Sequence, residues 1–145
     1  YEEVAYDLIA LENQEKTLGA GMIGRLPEPI KMEAFWELLK DQMNVQVIRH
    51  TGIIKEKVKH IALCGGAGSF LLPHAIRQKA DVFITGDFKY HQFFDADEKI
   101  VIADIGHYES EQFTPHLLME ILREKFDDNI LNISKCDTNP VKYHY

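Results

Sequence analysis

The chain has 145 residues, 46% of them hydrophobic, and at this length one globular domain buries about 68–70% of the surface its unfolded form exposes. Sixteen basic residues against 23 acidic ones give a formal charge of −7, and no segment gathers lysines or arginines onto one stripe. That composition argues against a nucleic-acid partner, and no apolar run approaches the ~20 residues a membrane helix needs.

Taken in chain order, the first apolar stretch is Ala5 to Glu12, which reads as a strand. The sequence opens at Tyr1 rather than Met, in the middle of a strand-like run and with no signal peptide, so it reads as a fragment that continues upstream. Gly19 to Pro29 is rich in glycine and proline and reads as an irregular connector and candidate domain boundary. Met32 to Met43 places Phe35, Leu38, Leu39 and Met43 near helical spacing beside Trp36, which predicts an amphipathic helix. A short strand over Val45 to Ile48 is expected next.

From Val58 onward strands and helices alternate. Strands are predicted at Ile61 to Leu63, Val82 to Thr85 and Ile100 to Asp104, with helices between them at about Ser69 to Lys79 and Lys89 to Asp97. Their apolar runs lack polar alternation, as expected where helices cover both faces of a sheet. Crossovers of this length predict an α/β fold with a mostly parallel sheet and helices on both faces. A last helix, from Tyr108 or Thr114 to Phe126, should bury Phe113, Leu117, Leu118, Ile121 and Leu122, and Ile130 to Ser134 should close the chain as a strand. Cys64 and Cys136 lie far apart and read as buried, reduced thiols, which favours a cytoplasmic protein.

In open α/β sheets ligands bind beyond the carboxyl ends of the strands. Three segments fall there: Gly65 to Ser69, Thr85 to His91 and Asp104 to Glu111. In the last of them His107 and Glu111 stand at i and i+4, about 5–6 Å apart at Cβ if the segment is helical. An imidazole nitrogen and a carboxylate oxygen at that spacing converge on one divalent cation, and a mixed nitrogen and oxygen set suits zinc, iron or manganese. Asp104 could orient a neighbouring ligand, and Gly106 frees the backbone to turn. The same residues also read as a surface histidine in front of an acidic first helical turn. Two ligands do not complete a site, so the remainder must come from elsewhere.

Asp87 and His91, again at i and i+4, could line the crevice of His107, while Asp87 also reads as the cap of a helix beginning near Phe88. Cys64-Gly65-Gly66-Ala67-Gly68-Ser69 is a tight strand-to-helix turn whose amides could hold an anion, although it lacks a P-loop ending and a dinucleotide fingerprint. Apolar and glycine neighbours leave Cys64 protonated and poorly nucleophilic. His50, His60, His74 and His116 show no partner pattern and read as ordinary surface or satisfied residues.

At these segments the chain resembles the Nif-three-like family of dimetal proteins, whose members carry the label GTP cyclohydrolase 1 type 2 homologue. The resemblance rests on Cys64-Gly65-Gly66-Ala67-Gly68-Ser69, on Asp81-Val82-Phe83-Ile84-Thr85-Gly86-Asp87 with Lys89-Tyr90-His91, on Gly106-His107-Tyr108-Glu109-Ser110-Glu111, and on the tail Thr138-Asn139-Pro140. It implies one half of a fold whose two α/β halves face each other across a pair of divalent metals, assembled as a toroidal hexamer, with His107 and Glu111 as metal ligands. The paired-histidine motif and aspartate of the amino-terminal half are absent here. Tyr1 to Asp7 resembles the end of a PII-like insert found in some bacterial members. The implied division is therefore residues 1–29 as insert end and connector, and 30–145 as a carboxy-terminal domain with half of the metal site. The expected function is that of a metal-dependent hydrolase acting on an unknown small-molecule or nucleotide substrate, with little activity in this piece alone. The alternatives are a non-catalytic metal-binding scaffold and a nucleotide-binding regulator.

Overall fold

A computed structural model describes residues 19–127 and 130–144. Its elements in order are β1 (Met22–Lys31), α1 (Met32–Met43), β2 (Arg49–His50), β3 (Lys57–Ala67), a 3-10 turn over Ser69–Leu71, α2 (Leu72–Arg77), β4 (Val82–Gly86), a 3-10 helix over Tyr90–Ala96, β5 (Val101–Asp104), α3 (His107–Glu111) and α4 (Thr114–Arg123). The strand expected at Ala5 to Glu12 lies outside the described residues.

The five strands form one sheet in the order β1-β3-β4-β5-β2. The central trio β3, β4 and β5 is parallel, whereas β1 and β2 run antiparallel along the two edges. The sheet is therefore mixed, with a parallel centre. Alternate residues of the central strands point to opposite faces, and both faces are covered. Val82, Val101 and Ala103 pack with Met32, Phe35 and Leu39 of α1, while Ala62, Phe83 and Ile102 pack with Leu72 and Ala75 of α2 and with Phe88 and Ala96. Burial on both sides explains why these strands read as unbroken apolar runs.

Several expectations are corrected by the structure. The stretch read as a connector is largely the edge strand β1; its prolines, Pro27 and Pro29, fall inside the register shift between Arg25 and Ile30, where the ladder to β3 is interrupted. Val45 to Ile48 is not a strand, and the short pairing segment comes just after it as β2. The helix expected after β4 is a 3-10 helix ended by Asp97 and Glu98, both at positive φ. No strand forms at Ile130 to Ser134. The apolar stripe of the last helix is present but not buried: Leu117 and Leu118 are 57% and 53% exposed, and Phe113, Ile121 and Leu122 are exposed as well. Periodicity identified an amphipathic face, and the described residues leave it about half exposed. Cys64 is buried and free as expected, whereas Cys136 is free and exposed. Among the described residues no helix is long and apolar enough to cross a membrane.

Candidate metal centre

The three segments singled out in the sequence do meet at the carboxyl ends of β3, β4 and β5. Thr85 of β4 lies in register with Asp104 of β5, and the Ile105 amide donates to the Thr85 carbonyl at 2.9 Å, so the chains leaving both strands run side by side. Gly86 is required at the crossing: a Cβ there would stand 2.8 Å from the Gly106 carbonyl carbon and from the His107 nitrogen, and backbone cannot move aside cheaply.

Asp104, 2% exposed, fastens the two loops to each other. Its Oδ2 accepts the Phe88 amide at 2.8 Å and its Oδ1 accepts the Gly106 amide at 3.0 Å, which fixes the residues next to Asp87 and His107. The Arg49 guanidinium closes on the same carboxylate. These partners compensate the charge of a carboxylate that has itself little access to water.

The glycine turn is tied to the same site. Thr85 Oγ1 accepts the Gly68 amide and donates to the Gly66 carbonyl, both at 2.9 Å, and the Gly66 amide donates to Ser110 Oγ at 2.8 Å. Two of the amides that could have cradled an anion are thus already used; the tight turn expected over Cys64 to Ser69 is shorter than that, because β3 runs on to Ala67 past a register shift against β4 and the chain turns only at Gly68. Gly66 has φ +61°, and a Cβ on it would reach within 2.6 Å of Glu111 Oε1. The turn therefore supports Glu111 directly. Cys64 donates its thiol to the carbonyls of Ala20 and Gly65, and burial, with Glu111 nearby, pushes its pKa up; it is no nucleophile at neutral pH.

At the centre stands His107, the first residue of α3. Its Nδ1 lies 2.7 Å from Asp87 Oδ2 and its Nε2 lies 3.3 Å from Glu111 Oε2, one helical turn on. The ring is thus held between two carboxylates, each about half exposed. The Asp87 hydrogen bond raises the His107 pKa; partial burial opposes this, and the charges of Asp87 and Glu111 add to the rise. Asp87 itself sits at φ 58°, a left-handed conformation that aspartate tolerates better than most residues. It does not cap the following 3-10 helix. Lys89 holds that position, with its amide bonded to Gln92 Oε1.

Asp87, Asp104, His107 and Glu111 line one cavity of about 1050 Å³, walled in part by the tail from Ile133 to Tyr143. His91 does not join them; it is exposed, packs edge-on against Tyr90, and lies outside the cavity lining. His116, read as an ordinary surface residue, does line it. Among the remaining histidines His50 stacks on Trp36, His60 lies 3.8 Å from Asp81, and His74 contacts Arg77. Sequence reasoning missed Arg49 and gave no role to Thr85 and Ser110, although both lie in the segments it singled out. Ser110 lay inside the motif, but nothing in its type distinguished it.

Along the row Asp87, His107, Glu111 the imidazole is in the middle, and among the described residues no group of three or more His, Cys, Asp or Glu side chains closes on one point. The fit to a divalent ion is therefore that of one edge. Ligands at ~2.0–2.2 Å from a metal lie roughly 3.0–3.4 Å from each other, and the 3.3 Å between His107 Nε2 and Glu111 Oε2 falls within that span.

Comparison with known proteins gives the family. A family model described as Duf34/NIF3 (NGG1p interacting factor 3) matches residues 2–140. The chain belongs to this family. It is 35% identical over 147 residues to a protein of Halalkalibacterium halodurans named GTP cyclohydrolase 1 type 2 homolog, covering 99% of this chain and 40% of that one. A Bacillus subtilis protein of the same name is 35% identical over 148 residues, with 99% and 39% covered. The chain thus spans about 40% of the length of these curated relatives. Among solved NIF3-like structures, a Bacillus cereus protein related to NIF3 superposes with a TM-score of 0.78 at 36% identity, covering 99% of this chain and 41% of that one. Staphylococcus aureus protein SA1388 gives 0.74 at 32% identity, with 86% and 37% covered.

Proposed function

We propose that His107 and Glu111 form one edge of a divalent-metal centre in a metal-dependent hydrolase, and that residues outside those described complete it. The observation that carries this reading is the clamp on His107. An ionised carboxylate can only accept, so Nδ1–H donates to Asp87, and Nε2 faces Glu111, where loss of its proton would leave a lone pair for a metal. A metal-binding histidine characteristically gives its other nitrogen to a carboxylate, which orients the ring and raises its basicity. Asp87 would serve as that carboxylate, while Asp104 holds both loops at their distance and Gly66 leaves room for Glu111. A bound divalent ion supplies Lewis acidity, acidifying water and polarising a carbonyl or phosphoryl group. Two ions per site, and zinc, iron or manganese as their identity, belong to the same proposal.

The name of the relatives makes GTP and other nucleotides the first substrates to assay. The test uses the intact protein: metal analysis, then hydrolysis of a nucleotide panel with and without chelator. Loss of turnover on chelation and recovery on metal addition is the expected result. Turnover indifferent to the chelator would count against the reading.

A second reading is favoured by the half-exposed apolar face of α4. On it the intact protein is a non-catalytic metal-binding scaffold, assembled as the homo-oligomer, a hexamer, that the resemblance implies. Exposed apolar faces of this kind mark interaction surfaces. Metal-dependent capture of a partner, with no turnover across a broad panel, would favour it. A monomeric intact protein would speak against it.

A further inference from the structure

Arg49 lines the same cavity as His107 and Glu111, and it is the one arginine or lysine among the described residues that do so. It stands on β2, directly opposite Asp104 in the ladder to β5. Its Nη2 contacts Asp104 Oδ2 and donates to the Phe88 carbonyl at 3.2 Å, and its guanidinium carbon lies 5.7 Å from the centre of the Phe93 ring. These contacts fix a long side chain that is nevertheless 57% exposed. Both hydrogen bonds use Nη2, so the donors on Nη1 and Nε remain for another acceptor. Asp104 is also the residue that holds Gly106, next to His107. One buried carboxylate therefore sets the guanidinium and the imidazole in a fixed relation.

We propose that Arg49 is a specificity-determining residue that binds an oxyanionic group, phosphate or carboxylate, of the small molecule entering this cavity. Each parallel donor pair of a guanidinium includes Nη2, which is committed to Asp104 and Phe88, so the Nη1 and Nε hydrogens would each meet a single oxygen of either group, from an orientation already set before a ligand arrives. Acidic residues otherwise dominate this wall: Asp87, Asp104, Glu109 and Glu111 all line it. An anion would be turned away from them in the absence of a cation, so the single fixed arginine decides where its charged end lies. A cavity of about 1050 Å³ accommodates a ligand of nucleotide size. As a substrate contact the assignment rests on the hydrolase reading, but the binding of an oxyanion at Arg49 is measurable without it.

The test titrates inorganic phosphate and malonate into the intact protein by calorimetry, for wild type, Arg49→Gln and Arg49→Lys, with metal content and thermal melting recorded for each. Arg49→Gln should weaken binding of at least one probe roughly tenfold or more, with metal content unchanged. Whether phosphate or malonate is the one affected identifies the group. Wild-type affinity for both probes in Arg49→Gln overturns the proposal. If that variant does not fold, Arg49→Lys decides: it keeps a cation beside Asp104 but loses the Nη1 and Nε donors, and severalfold weaker binding supports the proposal whereas unchanged binding overturns it. Absence of metal from the wild type would remove the hydrolase reading alone, and Arg49-dependent binding in the metal-free protein would still settle this one.

Discussion

The Nδ1 of His107 and a carboxylate oxygen of Asp87 lie 2.7 Å apart although the residues are 20 positions distant and lie on neighbouring loops of a parallel strand pair. That pairing turns a two-residue motif into an oriented one, because a ring with one nitrogen committed can offer only the other.

On the proposed metal reading its consequence is a graded loss of metal. In the intact protein, His107→Ala should abolish or strongly reduce bound metal while leaving the circular dichroism spectrum intact, since the side chain is half exposed. Asp87→Asn tolerates the left-handed backbone but holds the ring less firmly, and should weaken metal affinity about 10–100-fold. Elemental analysis and competition with a chromophoric chelator measure both. Equal metal affinity in Asp87→Asn and wild type would remove Asp87 from the site.

Asp104 differs from Asp87 in being buried, so its loss should reach stability as well as the site. Asp104→Ala leaves the Phe88 and Gly106 amides without their acceptor and should cost about 1–3 kcal/mol for each buried group left unpaired. Arg49, more than half exposed, regains water and adds little to that cost. Urea unfolding of wild type and variant gives the difference.

How much of this was legible beforehand depended on the range of the interactions involved. Helix α1 followed from local periodicity and strand β4 from an unbroken apolar run, and Met32–Met43 was anticipated residue for residue because Phe35 and Leu39 carry its buried face. The edge strand β1 was not legible, since Pro27 and Pro29 read as breakers and only the register with β3 shows that they fall where pairing lapses. The spacing of His107 and Glu111 was local and survived. Asp87 was placed correctly at a strand end, but its role as a partner of His107 rather than a cap required tertiary structure. Arg49 could not be found, because its partner Asp104 lies 55 residues away. The stripe on α4 was legible as a pattern, yet a pattern does not state whether a cover exists within the same chain.

Asp81 should give the fold a pH dependence of known sign. It is buried at the start of β4, and its carboxylate accepts the amides of Lys59 and His60, each at 2.9 Å, beside the Lys55 ammonium. Burial alone would raise its pKa, but the His60 amide, Lys55 and the Lys59 amide together lower it. A carboxylate whose pKa is lower folded than unfolded stabilises fully above about pH 4 and loses that contribution as the pH falls through the folded value. Asp81→Asn should therefore lower stability at pH 7 by about 1–2 kcal/mol and flatten the decline of the melting temperature below about pH 4. Parallel melts of both proteins from pH 2.5 to about pH 7 test this.

The apolar face of α4 predicts a substitution of the opposite kind. Ile121→Glu in the 145-residue chain replaces a side chain that is 48% exposed, so stability should change by no more than about 0.5 kcal/mol. Self-association in sedimentation velocity, and the fluorescence of a bound hydrophobic dye, should both fall. A large loss of stability would mean that the face is covered after all.

Gly66 joins backbone conformation to the site in a single residue. At φ +61° an L side chain costs roughly 1–2 kcal/mol, and its Cβ would also lie 2.6 Å from Glu111 Oε1 and 3.3 Å from His107 Cε1. Glu111 is flexible enough to swing away, but doing so takes its carboxylate off the His107 edge. Gly66→Ala should therefore lose metal affinity out of proportion to its modest loss of stability. A backbone-only role predicts that stability falls while metal binding in the folded fraction is unchanged, so measuring both on the same preparation separates the two effects.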